Sequence, residues 1–127
     1  MNNSQYEFKF PVVEIVDRYC IAKLKFFKLK NNKEELDFYE KQMQHLDVKS
    51  ITDELKELYE VHCKVWELED DFKKYRIENM YSLEEIGKRA LRIRDIMENR
   101  YILKNLIAKK LNDSIKEHKN YGNVFIL

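Results

Sequence analysis

Residues 88–110 read KRALRIRDIMENRYILKNLIAKK, a run of basic side chains on a stretch whose apolar residues return every three or four positions. That spacing puts Ile93, Met97, Tyr101, Lys104 and Ala108 on one helical face, which continues back to Ile86 and Ala90 and on to Leu111 and Ile115. Ser82 followed by Glu85 is a capping-box pattern, because the hydroxyl accepts from a free first-turn amide. The helix is therefore expected over residues 83–119. Roughly 37 residues at 1.5 Å each make a rod of about 55 Å.

Upstream, Ser50 and Asp53 form a second capping-box pattern, and Ile51, Leu55, Leu58, His62, Val65, Glu69 and Phe72 share a face, predicting a helix over 51–77. The link between the two long helices is short, so they should lie antiparallel as a hairpin. Phe72 then faces Gly87, Trp66 faces Ile93 and Leu58 faces Tyr101. A large ring opposite Gly87 would explain a glycine that otherwise costs about 1 kcal/mol in a helix interior.

Two shorter helices precede the hairpin. Pro11 suits a first helical position, and Val13, Val16, Cys20, Leu24 and Phe27, widened by Ile15, Tyr19, Ala22 and Phe26, predict a helix over 11–30. Asn32 with Glu35 caps a helix over 32–46 whose stripe is Leu36, Tyr39, Met43 and Leu46. These two cannot cover all of the last helix. Its far half, with Leu103, Ile107 and Leu111, is expected to stay uncovered and to make a homodimer or higher homo-oligomer. YEFKF near the start and NVFIL after Gly122 could pair as a short ribbon, or NVFIL could dock on a partner subunit.

The totals agree with an all-α chain. Two Gly, one Pro and 37% charged residues suit long helices better than a sheet built through tight turns, and 127 residues make one domain. The net charge of +1, from 24 Lys and Arg against 23 Asp and Glu, lacks the basic bias of a nucleic-acid-coating protein. Cys20 and Cys63 stand alone as small core residues, and no His/Cys cluster has metal spacing, so neither metal nor cofactor is expected. No apolar run reaches the roughly 18 to 20 residues of a membrane span, and MNNSQYEFKF at the start has no apolar run of signal-peptide length, so the expectation is a cytoplasmic protein without membrane contact.

Much of the positive charge has acidic neighbours. Glu84 and Glu85 precede Lys88 and Arg89 by four, Arg92 has Asp95, Arg94 has Glu98, and Glu67, Glu69, Asp70 and Asp71 lie across the hairpin. Arg100 and Lys104 have no acidic residue three or four positions away, and Lys104 sits on the apolar stripe. Asp17 and Lys23 on the first helix likewise lack charge partners on an apolar face, and the third helix adds His62 and Glu69 within its core stripe. Uncompensated buried charge is costly, so these groups should meet either one another or a ligand, with Asp17 paired to Arg100 or Lys104. His45 and His118 read as solvent-facing or helix-end residues.

VVEIVDRYCIAKLKF at 12–26, LYEVHCKVWELEDDF at 58–72 and NRYILKNLI at 99–107 resemble a family of short bacterial and phage-encoded helical proteins known as a domain of unknown function. The resemblance spans roughly residues 11 to 120. The matching positions are Asp17, Lys23, Trp66, Glu69, Asp70, Asn99, Arg100 and Lys104, while Val13-Glu14-Ile15 replaces the family's Gly-Glu-Leu. It implies an all-helical fold and no known reaction.

Three functions compete. The first is a homo-oligomeric binding protein that holds or sequesters an anionic small molecule such as a nucleotide, as a phage or bacterial accessory protein would. Its ligand-binding residues are Asp17, Lys23, Tyr59, His62, Glu69, Arg100, Tyr101 and Lys104: Arg grips phosphate through two bonds, Lys supplies a point charge, and rings stack bases. The second is a protein-interaction or structural module. The third is a degenerate all-α Mg-dependent nucleoside triphosphate pyrophosphohydrolase, suggested by Asp37-x-x-Glu40 and Glu67-x-x-Asp70, whose carboxylates share a helix face. No nucleophile motif stands out, and the balance leans away from an enzyme.

Overall fold

The computed structural model of the chain describes residues 10–74 and 76–112. They form four helices, α1 (Val12–Leu29), α2 (Lys33–Met43), α3 (Thr52–Lys74) and α4 (Leu83–Lys110), with 3-10 turns at Val48–Ile51 and Ile77–Asn79. The fold is all-α, as the helical periodicities predict. The ribbon expected from YEFKF and NVFIL, and the roles of Ile115, His118 and Gly122, lie outside the described residues.

Local chemistry explains each boundary. Pro11 stands just before the first helical residue, its φ of −61° already helical and its carbonyl accepting from Glu14 N–H at 3.0 Å. Lys30 ends α1 in the left-handed region at φ 58°, where its N–H donates to Phe26 O. Asn32 occupies the N-cap of α2, but its Nδ2 donates to Ala22 O at 2.9 Å and to Glu35 Oε1 at 3.0 Å. The expected cap is thus a cross-helix tie between α1 and α2. Ser82 caps α4 as the capping-box pattern predicts, its Oγ accepting from Glu85 N–H at 3.1 Å.

Ser50 lies inside a 3-10 turn and donates its hydroxyl to Asp47 O at 2.8 Å, so it does not cap α3, which starts at Thr52. α4 ends at Lys110, and the remainder of the span expected to residue 119 lies outside the described residues. Leu111 N–H still reaches Ile107 O at 2.9 Å, but Asn112 turns into the left-handed region at φ 58°, a conformation its short polar side chain tolerates.

α3 and α4 form the expected antiparallel hairpin. Arg89 meets Asp71 at 3.5 Å near the turn, and Lys110 meets Glu54 at 2.7 Å at the far end. Arg89 also lies over the Tyr81 ring, 4.0 Å from its centroid, and pairs with Glu85 at 3.2 Å. Acidic neighbours thus take up charge near the turn, although Arg94 pairs with Asp95 at 3.0 Å rather than with Glu98.

α1 is the central helix, packed against α2 on one side and in the groove of the α3–α4 hairpin on the other. It runs antiparallel to α4 and alongside α3, so that Glu14 and Asp17 reach Lys104 and Arg100, while Lys28 and Leu29 lie beside Trp66 and Asp70. The core therefore gathers Val13, Val16 and Cys20 from α1, Met43 from α2, Ile51, Leu58 and Val61, and Leu103, Ile107 and Ala108 from α4. Burying each large aliphatic side chain contributes about 1.5–3 kcal/mol.

This packing corrects the expectation that the far half of α4 is uncovered. Ile107 is fully buried and Leu103 nearly so, whereas Leu83 and Leu91 near the hairpin turn are exposed. α1 covers the far half, where Val13, Val16 and Cys20 join Leu103, Ile107 and Ala108 in the core and Asp17 and Glu14 meet Arg100 and Lys104. The contact proposed between Phe72 and Gly87 also fails. Phe72 is exposed, and a Cβ at Gly87 would meet nothing within 4 Å. Phe27 likewise projects into solvent instead of joining the α1 core face.

Candidate functional site

One turn of α1 separates Glu14 from Asp17, and one turn of α4 separates Arg100 from Lys104. Because the helices are antiparallel, the two acids match the two bases in reverse order. Arg100 donates through Nε to Asp17 Oδ1 at 3.2 Å and through Nη2 to Oδ2 at 2.7 Å, and Lys104 Nζ donates to Glu14 Oε2 at 2.7 Å. Asp17 and Lys104 are each only 2% exposed. A third helix completes the cluster: His62 Nε2 lies 2.8 Å from Asp17 Oδ1.

Burial pushes the Asp17 carboxyl up, but hydrogen bonds from His62 and Arg100, together with the Arg100 and His62 charges, outweigh it and hold it far below the usual carboxylate range. An ionised carboxylate only accepts, so the His62 nitrogen facing it carries the proton. Cys20, one turn beyond Asp17, is pushed up to about 12 by burial and by the Asp17 charge. A thiol held protonated at neutral pH is a poor nucleophile.

The predicted site residues do not gather at one place. Asp17, His62, Arg100 and Lys104 come together, and the pair Asp17–Arg100 forms as the missing charge partners predict. Of the two alternatives for Arg100 and Lys104, partners within the fold or a ligand, the structure shows carboxylates of α1 beside both. Glu69 belongs elsewhere: it lies towards the hairpin turn, pairs with Lys73 at 3.7 Å and lines a hollow with Phe72 and Ile93. Tyr101 is half-buried on α4 beside Arg100. Glu14 is the residue that sequence reasoning overlooked. Its signal was the reversed spacing shared by Glu14 and Asp17 with Arg100 and Lys104.

Lys23 and Tyr59 make a separate site about two turns along α1. A cleft of about 220 Å³ between α1 and α3 is lined by Tyr19, Lys23, Leu55, Lys56 and Tyr59, among others. Lys23 is exposed, and its ammonium stands 5.0 Å from the Tyr59 ring centroid and 5.9 Å from that of Tyr19. Burial pushes both tyrosine hydroxyls up, so both stay neutral and able to donate. Among the described residues neither Lys23 nor Lys56 has a carboxylate within ion-pair distance.

The carboxylates considered for magnesium do not assemble. Asp37 is bonded to Lys33 on its own helix at 2.7 Å, and among the described residues no three His, Cys, Asp or Glu groups lie close enough to hold a metal ion. No helix among them is long and apolar enough to cross a membrane. Comparison of the chain with protein-family models, curated proteins and solved structures finds no match.

Proposed function

We propose that this chain is a cytoplasmic binding protein that takes a small anion bearing a flat ring, such as a nucleotide, in the cleft between α1 and α3. The observation that carries this reading is a pair of lysines with no carboxylate within ion-pair distance among the described residues, on a cleft walled by two tyrosine rings. Lys23 and Lys56 supply point charges to a phosphate or carboxylate, and Tyr19 and Tyr59 supply stacking faces. At about 220 Å³ the cleft is smaller than the roughly 300 Å³ at which drug-sized ligand pockets begin, so it encloses the ring or the anion and leaves the rest of the ligand in solvent.

The buried cluster then has a positioning role. Asp17 is two residues before Tyr19, and His62 is three after Tyr59, so the Asp17–His62 bond sets the spacing of the two aromatic walls. Arg100 and Lys104 lock α1 against α4 without touching the ligand. The proposal assigns no reaction to the chain.

Isothermal titration against nucleoside mono-, di- and triphosphates tests the reading. Lys23→Ala and Tyr59→Ala should each weaken binding at least tenfold while leaving the helical circular dichroism spectrum unchanged. Heat released equally by wild type and both variants, or by neither the wild type nor any variant across the panel, would sink it.

A second reading, a homodimer or protein-interaction module, is favoured by Ile102 and Leu106, adjacent exposed aliphatic side chains one turn apart on α4. Sedimentation velocity on the wild type and Ile102→Glu separates the two. A dimer that dissociates in the variant supports the module, and a monomer in both removes it.

A further inference from the structure

The end of α1 and the turn after it read KLKFFKLKNNK at 23–33, five lysines and no acidic residue. Two of these lysines have partners on α2: Lys25 pairs with Glu35 at 3.1 Å and Lys33 with Asp37 at 2.7 Å. Lys28 and Lys30 have no carboxylate within ion-pair distance among the described residues. Their ammonium groups instead lie 5.9 Å from aromatic centroids, Lys28 over Phe27 and Lys30 over Phe26 and Phe27. Phe27 is 66% exposed and Leu29 53% exposed at the same helix end.

Large apolar side chains left in water beside unpaired lysines are the two components of an amphipathic docking surface. We propose that this end of α1 docks on an anionic lipid bilayer, with Phe27 and Leu29 entering the headgroup–acyl boundary and Lys28 and Lys30 meeting lipid phosphates. Charge complementarity selects the partner, since an unneutralised lysine pair gains most at a surface dense in negative charge. Leu29 favours a bilayer over a nucleic acid, because an aliphatic side chain has no flat face on which a base stacks. Trp66 borders the groove behind Leu29, a residue type suited to the membrane–water interface, while Glu67 and Asp70 on the α3 side of that groove limit the surface to the α1 end. Docking of this kind needs no membrane-spanning helix.

Vesicle flotation tests the proposal independently of the cleft, since it involves neither Lys56 nor Tyr59. The full chain is mixed with phosphatidylcholine vesicles with and without about one-third phosphatidylserine, at low and at physiological salt. Anionic vesicles should float the wild type and neutral ones should not. Lys28→Glu with Lys30→Glu should lower the vesicle partition coefficient by at least roughly thirtyfold, given the contribution of each lysine at such a surface. Phe27→Ser with Leu29→Ser should abolish the binding that persists at physiological salt. These positions are exposed, so melting temperatures should stay near wild type and exclude unfolding as the cause. Equal binding to neutral and anionic vesicles, or no binding to either, overturns the proposal. A single-stranded RNA retained by the wild type and lost by the lysine variant, without vesicle binding, would reassign the surface to nucleic acid and equally overturn it.

Discussion

Arg100 reaches Asp17 across 83 positions of sequence and holds it through two hydrogen bonds, Nε to Oδ1 and Nη2 to Oδ2. Asp17 in turn accepts from His62, so one carboxylate on α1 ties α3 to α4. Removing it takes two hydrogen bonds from the guanidinium and one from the imidazole. Asp17→Ala should destabilise the chain by about 3–5 kcal/mol in urea unfolding, the usual cost of breaking a buried ion pair from one side. A loss under about 1 kcal/mol would show that the cluster is solvated in solution.

The same carboxyl sets an acid limit. Its folded-state pKa lies below the ordinary value of 3.8, so at low pH the unfolded chain binds the proton more readily than the folded one. The stability it contributes is present above about pH 4 and drains away as pH falls below that. Melting temperature followed from pH 7 to pH 2 should drop below about pH 4, and Asp17→Asn, which has no proton to gain, should show a shallower fall. Parallel acid limbs would assign the acid sensitivity to other carboxylates.

Lys104 offers a double-mutant cycle. Lys104→Met alone leaves Glu14 without its Lys104 partner, though Glu14 keeps some access to solvent. Glu14→Leu with Lys104→Met removes both charges and keeps apolar bulk. The double variant should be more stable than Lys104→Met by about 1 kcal/mol or more, because a buried ion pair is replaced by packing at little net cost. Additive losses would show that the two side chains act independently.

Gly87 stands in the second turn of α4 with open space where a Cβ would go. Gly87→Ala should therefore stabilise the protein by about 0.8–1.0 kcal/mol through helix propensity alone. A destabilised variant in thermal unfolding would mean that another chain packs closely on this face.

The long-range pairing of Arg100 and Lys104 was legible because a helix that offers no carboxylate at three or four residues' distance forces its cations to look across the fold. Glu14 was harder to find: on its own helix it reads as an ordinary half-exposed first-turn acid. Its significance needs the antiparallel alignment of α1 with α4, which no local spacing records. The cleft had the same history. Lys23 and Tyr59 carried a signal as a lone cation and a supporting aromatic, but Lys56 became relevant only once α1 and α3 ran side by side.

The sequence by itself determined the all-helical class, the Ser82 cap, the hairpin of the last two helices and its approximate register. Each follows from contacts within a few residues or across a short link, where chain connectivity leaves few alternatives. Only the tertiary structure decided which half of α4 lies under α1, which acids neutralise its buried cations and which apolar side chains remain in water. Those outcomes depend on faces that meet across more than 80 residues. Periodicity shows that such faces exist, and the balance of burial against charge neutralisation chooses their partners.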